Sequence, residues 1–359
     1  MKRHLALVLA VLLMLTACAC KKEEAQPTQA STVATAPTEP VKKSREDMHI
    51  WISVPDEQDE YWSKAGMDLQ ELLENLLYQV HLIYANNDPV EQEEQLKEAL
   101  SQGADCLIVA PVDAPTLEHV AKLAEEKGVC LVSYDRLWTD TDAVDYYASY
   151  DYAAMGTQIG EYIVETALYG TSEPVTIEFF MGMPEDHNTA VLWDGIYAVL
   201  GPYLQSGRLV SKSGRTALED VCVVDKDLQT VERTMDLYLD EYYEGSAPDV
   251  ICTTDDSFAN ACILALERWE ITQMPLITGI GGGEGALEHL RTGKQAVSFT
   301  LEMQPLNDDC IRLLDSVLNN KEFVLSHPEG VFNNVKQVPA NLYAANMVTR
   351  EMLAEEEVE

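Results

Sequence analysis

Two stretches of the chain place ionisable side chains at the end of an apolar run. Val129-Cys-Leu-Val-Ser-Tyr134 leads into Asp135 and Arg136, and Val250-Ile-Cys-Thr-Thr254 leads into Asp255 and Asp256. An adjacent carboxylate and guanidinium set acceptor oxygens beside a rigid fork of donors, which suits neighbouring hydroxyls on one small molecule. An arginine at a buried strand end is costly unless something there uses it. Either aspartate of the second pair can instead cap the helix that follows, by accepting from its free backbone N–H groups. Trp62 offers an aromatic face for stacking on a ring, or simply core packing for the first helix.

The arrangements that carry catalysis are missing. The sequence has no GxSxG elbow, no HExxH, no CxxC and no Cys/His spacing of a zinc site. Gly279-Ile-Gly-Gly-Gly-Glu-Gly285 lacks the Lys-Ser/Thr end of a phosphate loop and does not fit GxGxxG, so it reads as a strand-to-helix turn. The chain is expected to bind rather than catalyse, and no catalytic residue, metal or cofactor is assigned.

The candidate residues need elements to hold them. His49–Val54, Val80–Tyr84, Cys106–Ala110 and Val129–Tyr134 read as strands, separated by amphipathic stretches at 59–77, 89–102 and 114–127. A second series follows, with strands at 175–181, 250–253 and 276–279 and helices at 186–200, 225–243, 256–267 and 285–291. Strand and helix alternating at this spacing predict βαβ units, with parallel sheets covered on both faces by helices. Two such series predict an α/β protein of two doubly wound lobes. Ligands of such sheets lie beyond the carboxyl ends of the strands, so facing lobes put a ligand between them.

The residues then form an ordered series: Ser133-Tyr-Asp-Arg-Leu137, Tyr146-Tyr-Ala-Ser-Tyr-Asp151 with Gly156, Ile177-Glu-Phe-Phe180, Pro184-Glu-Asp-His-Asn188, Trp193-Asp-Gly195, Tyr203 through Gly207, and Pro248 through Asp256. Across roughly residues 47–345 this series resembles the type I periplasmic binding proteins of the ribose, xylose and multiple-sugar-binding group, which serve ABC transporters. The resemblance implies that fold, two parallel-sheet lobes joined by a three-crossing hinge, with a sugar held in the cleft between aromatic rings and polar side chains. By position it implies ligand-binding roles for Trp62, Asp135, Arg136, Asn188 and Asp256. It also implies an ABC permease and ATPase as partners, and a monomer.

Departures from the family pattern bear on specificity. Tyr61 stands where related sugar binders place Arg, and Tyr152 stands where Asn often follows the hinge Asp151. Ile280-Gly281 replaces a Gln-Asp pair, and Leu301 replaces a Lys. Missing hydroxyl partners imply a changed ligand. Tyr61, Tyr152, Glu302 and Gln304 are the candidates to compensate. Two other functions share the fold: a sensory lipoprotein presenting its closed form to a receptor or histidine kinase, and a relative with a non-sugar ligand. A sugar-responsive repressor would need a basic helix-turn-helix at the N-terminus, where this chain has a different segment.

That segment has Lys2 and Arg3, then an apolar run from Leu5 to Leu15, a secretory pattern too short to span a bilayer. Leu15-Thr-Ala-Cys18 resembles a bacterial lipobox, with Cys18 as the lipidated residue and Cys20 as a second candidate. The expected divisions are a signal peptide at 1–17, a lipidated flexible tether at 18–46, a first lobe of 47–149 plus about 281–300, a second lobe of 150–280 plus about 301–345, and an acidic tail at 346–359. The hinge crossings are then expected near Ser149, Gly281 and Thr300. These features predict an extracytoplasmic protein anchored to the cell membrane by its N-terminal lipid.

The 359 residues carry a formal charge of −37, which argues against a nucleic-acid surface, because phosphates attract Lys and Arg. The six internal cysteines are expected to be buried thiols, with a disulfide left open outside the cell.

Overall fold

The structure is a computed structural model that describes residues 43–184, 186–319 and 324–356. Cys18, Cys20, the signal segment and most of the expected tether lie outside the described residues. The described residues form one compact unit.

The first half runs β1 (His49–Val54), α1 (Glu60–Asn75), β2 (Gln79–Tyr84), α2 (Pro89–Ser101), β3 (Cys106–Val109), α3 (Glu118–Lys127), β4 (Cys130–Tyr134) and β5 (Tyr146–Tyr150). The second continues with α4 (Tyr152–Ile163), β6 (Val175–Phe180), α5 (His187–Ser206), β7 (Leu209–Val210), α6 (Leu218–Val221), α7 (Leu228–Glu241), β8 (Val250–Thr253), α8 (Asp256–Arg268), β9 (Leu276–Ile277), α9 (Glu284–Thr292) and β10 (Val297–Thr300). The chain ends with α10 (Met303–Asn319), β11 (His327–Phe332), β12 (Gln337–Tyr343), β13 (Asn346–Thr349) and α11 (Arg350–Glu356).

Strand starts and helix caps explain this alternation locally. β1, β3 and β4 are buried almost throughout, as strands covered on both faces must be. Asp59, Asp88, Asp186, Asp227 and Asp255 each cap a helix by accepting backbone N–H groups of its first turn. Of the Asp255-Asp256 pair, Asp255 is therefore the cap. α4 and α5 pack with backbones in near contact: a Cβ on Gly156 would lie 2.3 Å from the carbonyl oxygen of Leu192.

The strands form a first sheet in the order β11-β12-β5-β4-β3-β1-β2, parallel except for the β11–β12 pair, and a second, parallel sheet in the order β7-β6-β8-β9. β10 pairs antiparallel with β13, and a bridge from Gly281 to Thr300 ties β10 to the chain leaving β9. Two parallel-sheet lobes with helices between the strands are what the sequence predicts.

The expected assignment of the later segments is reversed. Residues 297–300 lie with the second lobe, while β11 and β12 extend the first sheet and α10 packs on α1, β4 and β5. Three crossings remain, at Tyr150–Tyr152, Thr300–Met303 and Tyr343–Asn346; those expected near Ser149 and Thr300 are found, the second running in the opposite direction, whereas the chain stays in the second lobe at Gly281 and crosses instead at Tyr343–Asn346. A short apolar strand reads alike in either sheet, and which edge stands open is set by tertiary packing. The expected acidic tail is structured as β13 and α11 over its described part. Folded structure also begins inside the expected tether: Arg45–Asp47 form a helical turn, and Arg45 reaches Asp315 of α10 at 2.5 Å. Cys106, Cys130, Cys252, Cys262 and Cys310 are buried thiols.

Candidate functional site

Asp135 sits at the carboxyl end of β4 in a turn so tight that its φ is +58° and the N–H of Arg136 donates to the carbonyl of Tyr134 at 2.6 Å. A non-glycine residue with positive φ inside a three-residue turn is strained, and such strain persists only where surrounding contacts fix it. Here they do. The Asp135 carbonyl accepts from Tyr147 Oη at 2.8 Å, Ser149 Oγ at 2.6 Å and Asn188 Nδ2 at 3.2 Å. Tyr147 and Ser149 are two apart on β5 and so share one face of the strand.

The carboxylate is engaged as fully. Tyr61 Oη donates to Oδ2 at 2.7 Å, Tyr152 Oη to Oδ1 at 2.9 Å, and Asn188 Nδ2 to Oδ1 at 3.2 Å. With Asp135 only 2 % exposed, burial raises its carboxyl above the ordinary range although the tyrosine hydrogen bonds pull it down. Burial and the neighbouring carboxylate raise the hydroxyls of Tyr61 and Tyr152 in turn, so both remain protonated donors.

Arg136 turns the other way. Its guanidinium lies over the Trp62 ring, 5.1 Å from the centroid, and Nη1 donates to the Pro111 carbonyl at 3.3 Å. Nε lies 3.0 Å from Asp186 Oδ2 as an ion pair, with its N–H out of hydrogen-bond alignment with that oxygen. Asp186 also caps α5, so one carboxylate orders the second lobe's helix and reaches the first lobe's arginine. Trp62 is buried in the core, as its packing alternative expects, and the Arg136 guanidinium covers a face of its ring.

Asn188 and Asp186 from the second lobe thus meet Asp135 and Arg136 from the first. Beside them a cavity of about 310 Å³ opens between the lobes, lined by Asp113, Arg136, Thr139, Asp186, His187 and Asn334 among others. Burial lowers the His187 imidazole against the pull of Asp186, Asp140 and Asp194.

Asp256 is placed apart. Its oxygens accept from Gly282 N at 2.6 Å, Gln295 Nε2 at 2.7 Å and Ser298 Oγ at 2.8 and 2.9 Å, all within the second lobe. Burial raises its carboxyl too. No hydrogen bond among the described residues joins it to the Asp135 cluster. Glu302 and Gln304 are exposed; Glu302 accepts from Asn346 Nδ2 at 2.7 Å and Gln304 donates to Asp308 at 3.0 Å. Of the nine candidates, the structure gathers Trp62, Tyr61, Asp135, Arg136, Tyr152 and Asn188, and leaves Asp256, Glu302 and Gln304 outside. Sequence reasoning missed Tyr147, Ser149 and Asp186. The two-residue alternation along β5 and the position of Asp186 before a helix were the signals available.

Paired βαβ lobes with polar side chains converging between them define a solute-binding architecture. The family model described as periplasmic binding protein domain matches residues 50–322, and the chain belongs to that family. It is 28% identical to the multiple sugar-binding periplasmic protein SbpA of Azospirillum brasilense, over 82% of this chain and 83% of that protein. With the multiple sugar-binding periplasmic receptor ChvE of Rhizobium radiobacter it shares 26% identity, over 82% of this chain and 84% of that one. Among solved structures, an ABC transporter solute-binding protein from Clostridium phytofermentans with bound β-D-glucose superposes with a TM-score of 0.81 at 29% identity, covering 86% of this chain and 96% of that one. Among the described residues, no helix is long and apolar enough to cross a membrane.

Proposed function

We propose that the chain is a lipid-anchored, extracytoplasmic solute-binding protein. It captures a monosaccharide or related polyol between its lobes and delivers it to an ABC permease, without catalysing a reaction. The observation that carries this is the meeting of Asp135–Arg136 with Asn188–Asp186 from the opposite lobe, beside an interlobe cavity. A ligand there touches both lobes, so its binding free energy favours the closed arrangement over an open one, as in hinge closure generally. Relatives that bind sugars and serve ABC transporters support the choice of ligand and partner.

The test is a thermal-shift screen of the chain from Lys43 onward against monosaccharides, polyols and nucleosides. A ligand at 100 times its dissociation constant adds about 2.7 kcal/mol of stability. A shift with a monosaccharide or polyol is expected; a shift with nucleosides alone, or none, overturns the reading.

A further inference from the structure

We infer that the tip of the β11–β12 hairpin is one wall of the ligand site: Asn334 contacts the bound solute, and Asn333 is the positioning residue that sets Asn334 and Thr139 toward it. This deepens the solute-binding function proposed above and rests on it.

β11 and β12 pair through Val331 with Val338 and Phe332 with Gln337, which leaves residues 333–336 as the turn. The N–H of Asn333 closes that turn by donating to the Lys336 carbonyl at 3.0 Å. Asn334 at the tip lines the interlobe cavity of about 310 Å³, together with Arg136, Leu137 and Thr139 from the loop that follows β4.

Asn333 ties these two walls together. It is fully buried, and its side chain is used on both sides. Oδ1 accepts from the N–H groups of Val335 at 3.2 Å and Lys336 at 2.9 Å, which shapes the turn. Nδ2 donates to the carbonyls of Trp138 at 3.1 Å and Thr141 at 2.7 Å, groups 195 and 192 residues away in sequence. The Asn333 carbonyl accepts from the N–H of Asp140 at 2.8 Å. Thr139 is thereby bracketed, since the carbonyl before it and the N–H after it are both bound to Asn333. Ser133 holds the start of the same loop: its hydroxyl donates to the Arg136 carbonyl at 2.7 Å and accepts from Trp138 N at 2.8 Å. A loop whose backbone polar groups are engaged in this way presents its side chains from a fixed frame.

The chemistry toward the cavity then falls to the side chains. Asn334 Nδ2 donates to Asp140 Oδ1 at 3.1 Å, and both residues sit in the left-handed backbone region, at φ +73° and +61°. Asn and Asp tolerate that region, and they stay there where surrounding contacts hold them. An amide has two N–H donors and an acceptor oxygen, and the bond to Asp140 uses one donor. Asn334 can therefore both give a hydrogen bond to a neutral hydroxyl and take one from it, and Thr139 adds a hydroxyl beside it. Groups already held in place lose little freedom when the ligand arrives, which favours affinity.

Isothermal titration of the chain from Lys43 onward, with D-glucose, D-xylose and myo-inositol as probes, tests this. Asn334→Gly keeps a residue at ease with positive φ and removes the amide, and the affinity for the bound probe is expected to fall about fivefold or more. Asn333→Ser can still accept from the turn N–H groups but falls short of the Trp138 and Thr141 carbonyls. Measured well below its unfolding midpoint, it is expected to lose roughly tenfold or more. Adding Asn334→Gly to Asn333→Ser is expected to cost little further affinity, because an amide no longer held in place has little left to contribute.

An Asn334→Gly chain that binds the probe as tightly as the unaltered one overturns the inference while leaving the solute-binding function standing. That variant alters an exposed turn residue, so the test stands even if Asn333→Ser does not fold. Losses that simply multiply in the double variant overturn the positioning role of Asn333, as does unchanged affinity in a folded Asn333→Ser. Binding of none of the three probes by the unaltered chain, with no shift from any sugar or polyol in the screen above, ends the proposed function and the inference together.

Discussion

The hydroxyl of Tyr152 donates to Asp135 Oδ1 at 2.9 Å across the first hinge crossing. Tyr152 opens the first helix beyond β5, and Asp135 closes β4 in a strained turn, so one hydrogen bond joins the beginning of the second lobe to the floor of the first. Removing the hydroxyl in Tyr152→Phe leaves a buried carboxylate one donor short. The expected loss is about 1–3 kcal/mol at pH 7, read by urea unfolding. The deficit is expected to shrink as pH falls, because burial raises the folded-state pKa of Asp135 and the protonated carboxyl needs one donor partner fewer. A deficit independent of pH would place the effect elsewhere.

Arg136 and Asp256, alike in the sequence as charged residues at strand ends, are expected to respond differently. Arg136→Ala removes a group that lines the interlobe cavity, and ligand affinity should drop by about 1–3 kcal/mol, on the order of a charge-assisted hydrogen bond. Asp256→Ala strips partners from Gly282, Gln295 and Ser298, and its effect is expected in the unfolding midpoint, with little change in ligand titration. An affinity loss in Asp256→Ala matching that of Arg136→Ala, in a chain of unchanged stability, would return Asp256 to the ligand.

Acid lability is expected from the imidazoles. Burial lowers His187, His81 and His289 in the folded chain, so as pH falls below the ordinary imidazole value of about 6.5 the unfolded chain takes up protons first. Stability present above that pH is lost on the way down. Unfolding midpoints measured between pH 7.5 and 5.5 should fall, and His187→Gln should flatten part of the slope. A slope unchanged in that variant would remove His187 from the account.

Gly156→Ala tests the α4–α5 contact. The added methyl would meet a backbone oxygen that no side-chain rotation can move aside, so overpacking of about 1–3 kcal/mol is expected in thermal or urea unfolding. A neutral result would mean that the two helices separate at little cost.

Cys18 carries the proposed anchor. Cys18→Ser is expected to abolish incorporation of labelled fatty acid and to release the protein from the membrane fraction, whereas Cys20→Ser leaves both unchanged. The reverse result would move the anchor to Cys20.

The alternation of strands and helices was legible because each strand is a continuous apolar run and most helices begin at an aspartate. Asp135 and Arg136 were legible because charge at the end of such a run is unusual. The partition of the C-terminal third was not, since nothing local in Val297–Thr300 or Gln337–Tyr343 records which sheet edge is vacant. Nor was the engagement of Asp256, which depends on Gln295 and Ser298, some forty residues away. Tyr61 and Tyr152 stood out only as departures from a pattern. That both point at one carboxylate is a fact of three dimensions.

The clasp of Arg45 on Asp315, with Lys43 on Asp105 beside it, fastens the start of the folded chain to β3 and α10, both in the first lobe. Any pull arriving along the N-terminal segment is therefore borne by that lobe alone. In the proposed anchored form, hinge closure would move the second lobe about three short crossings and leave that attachment in place.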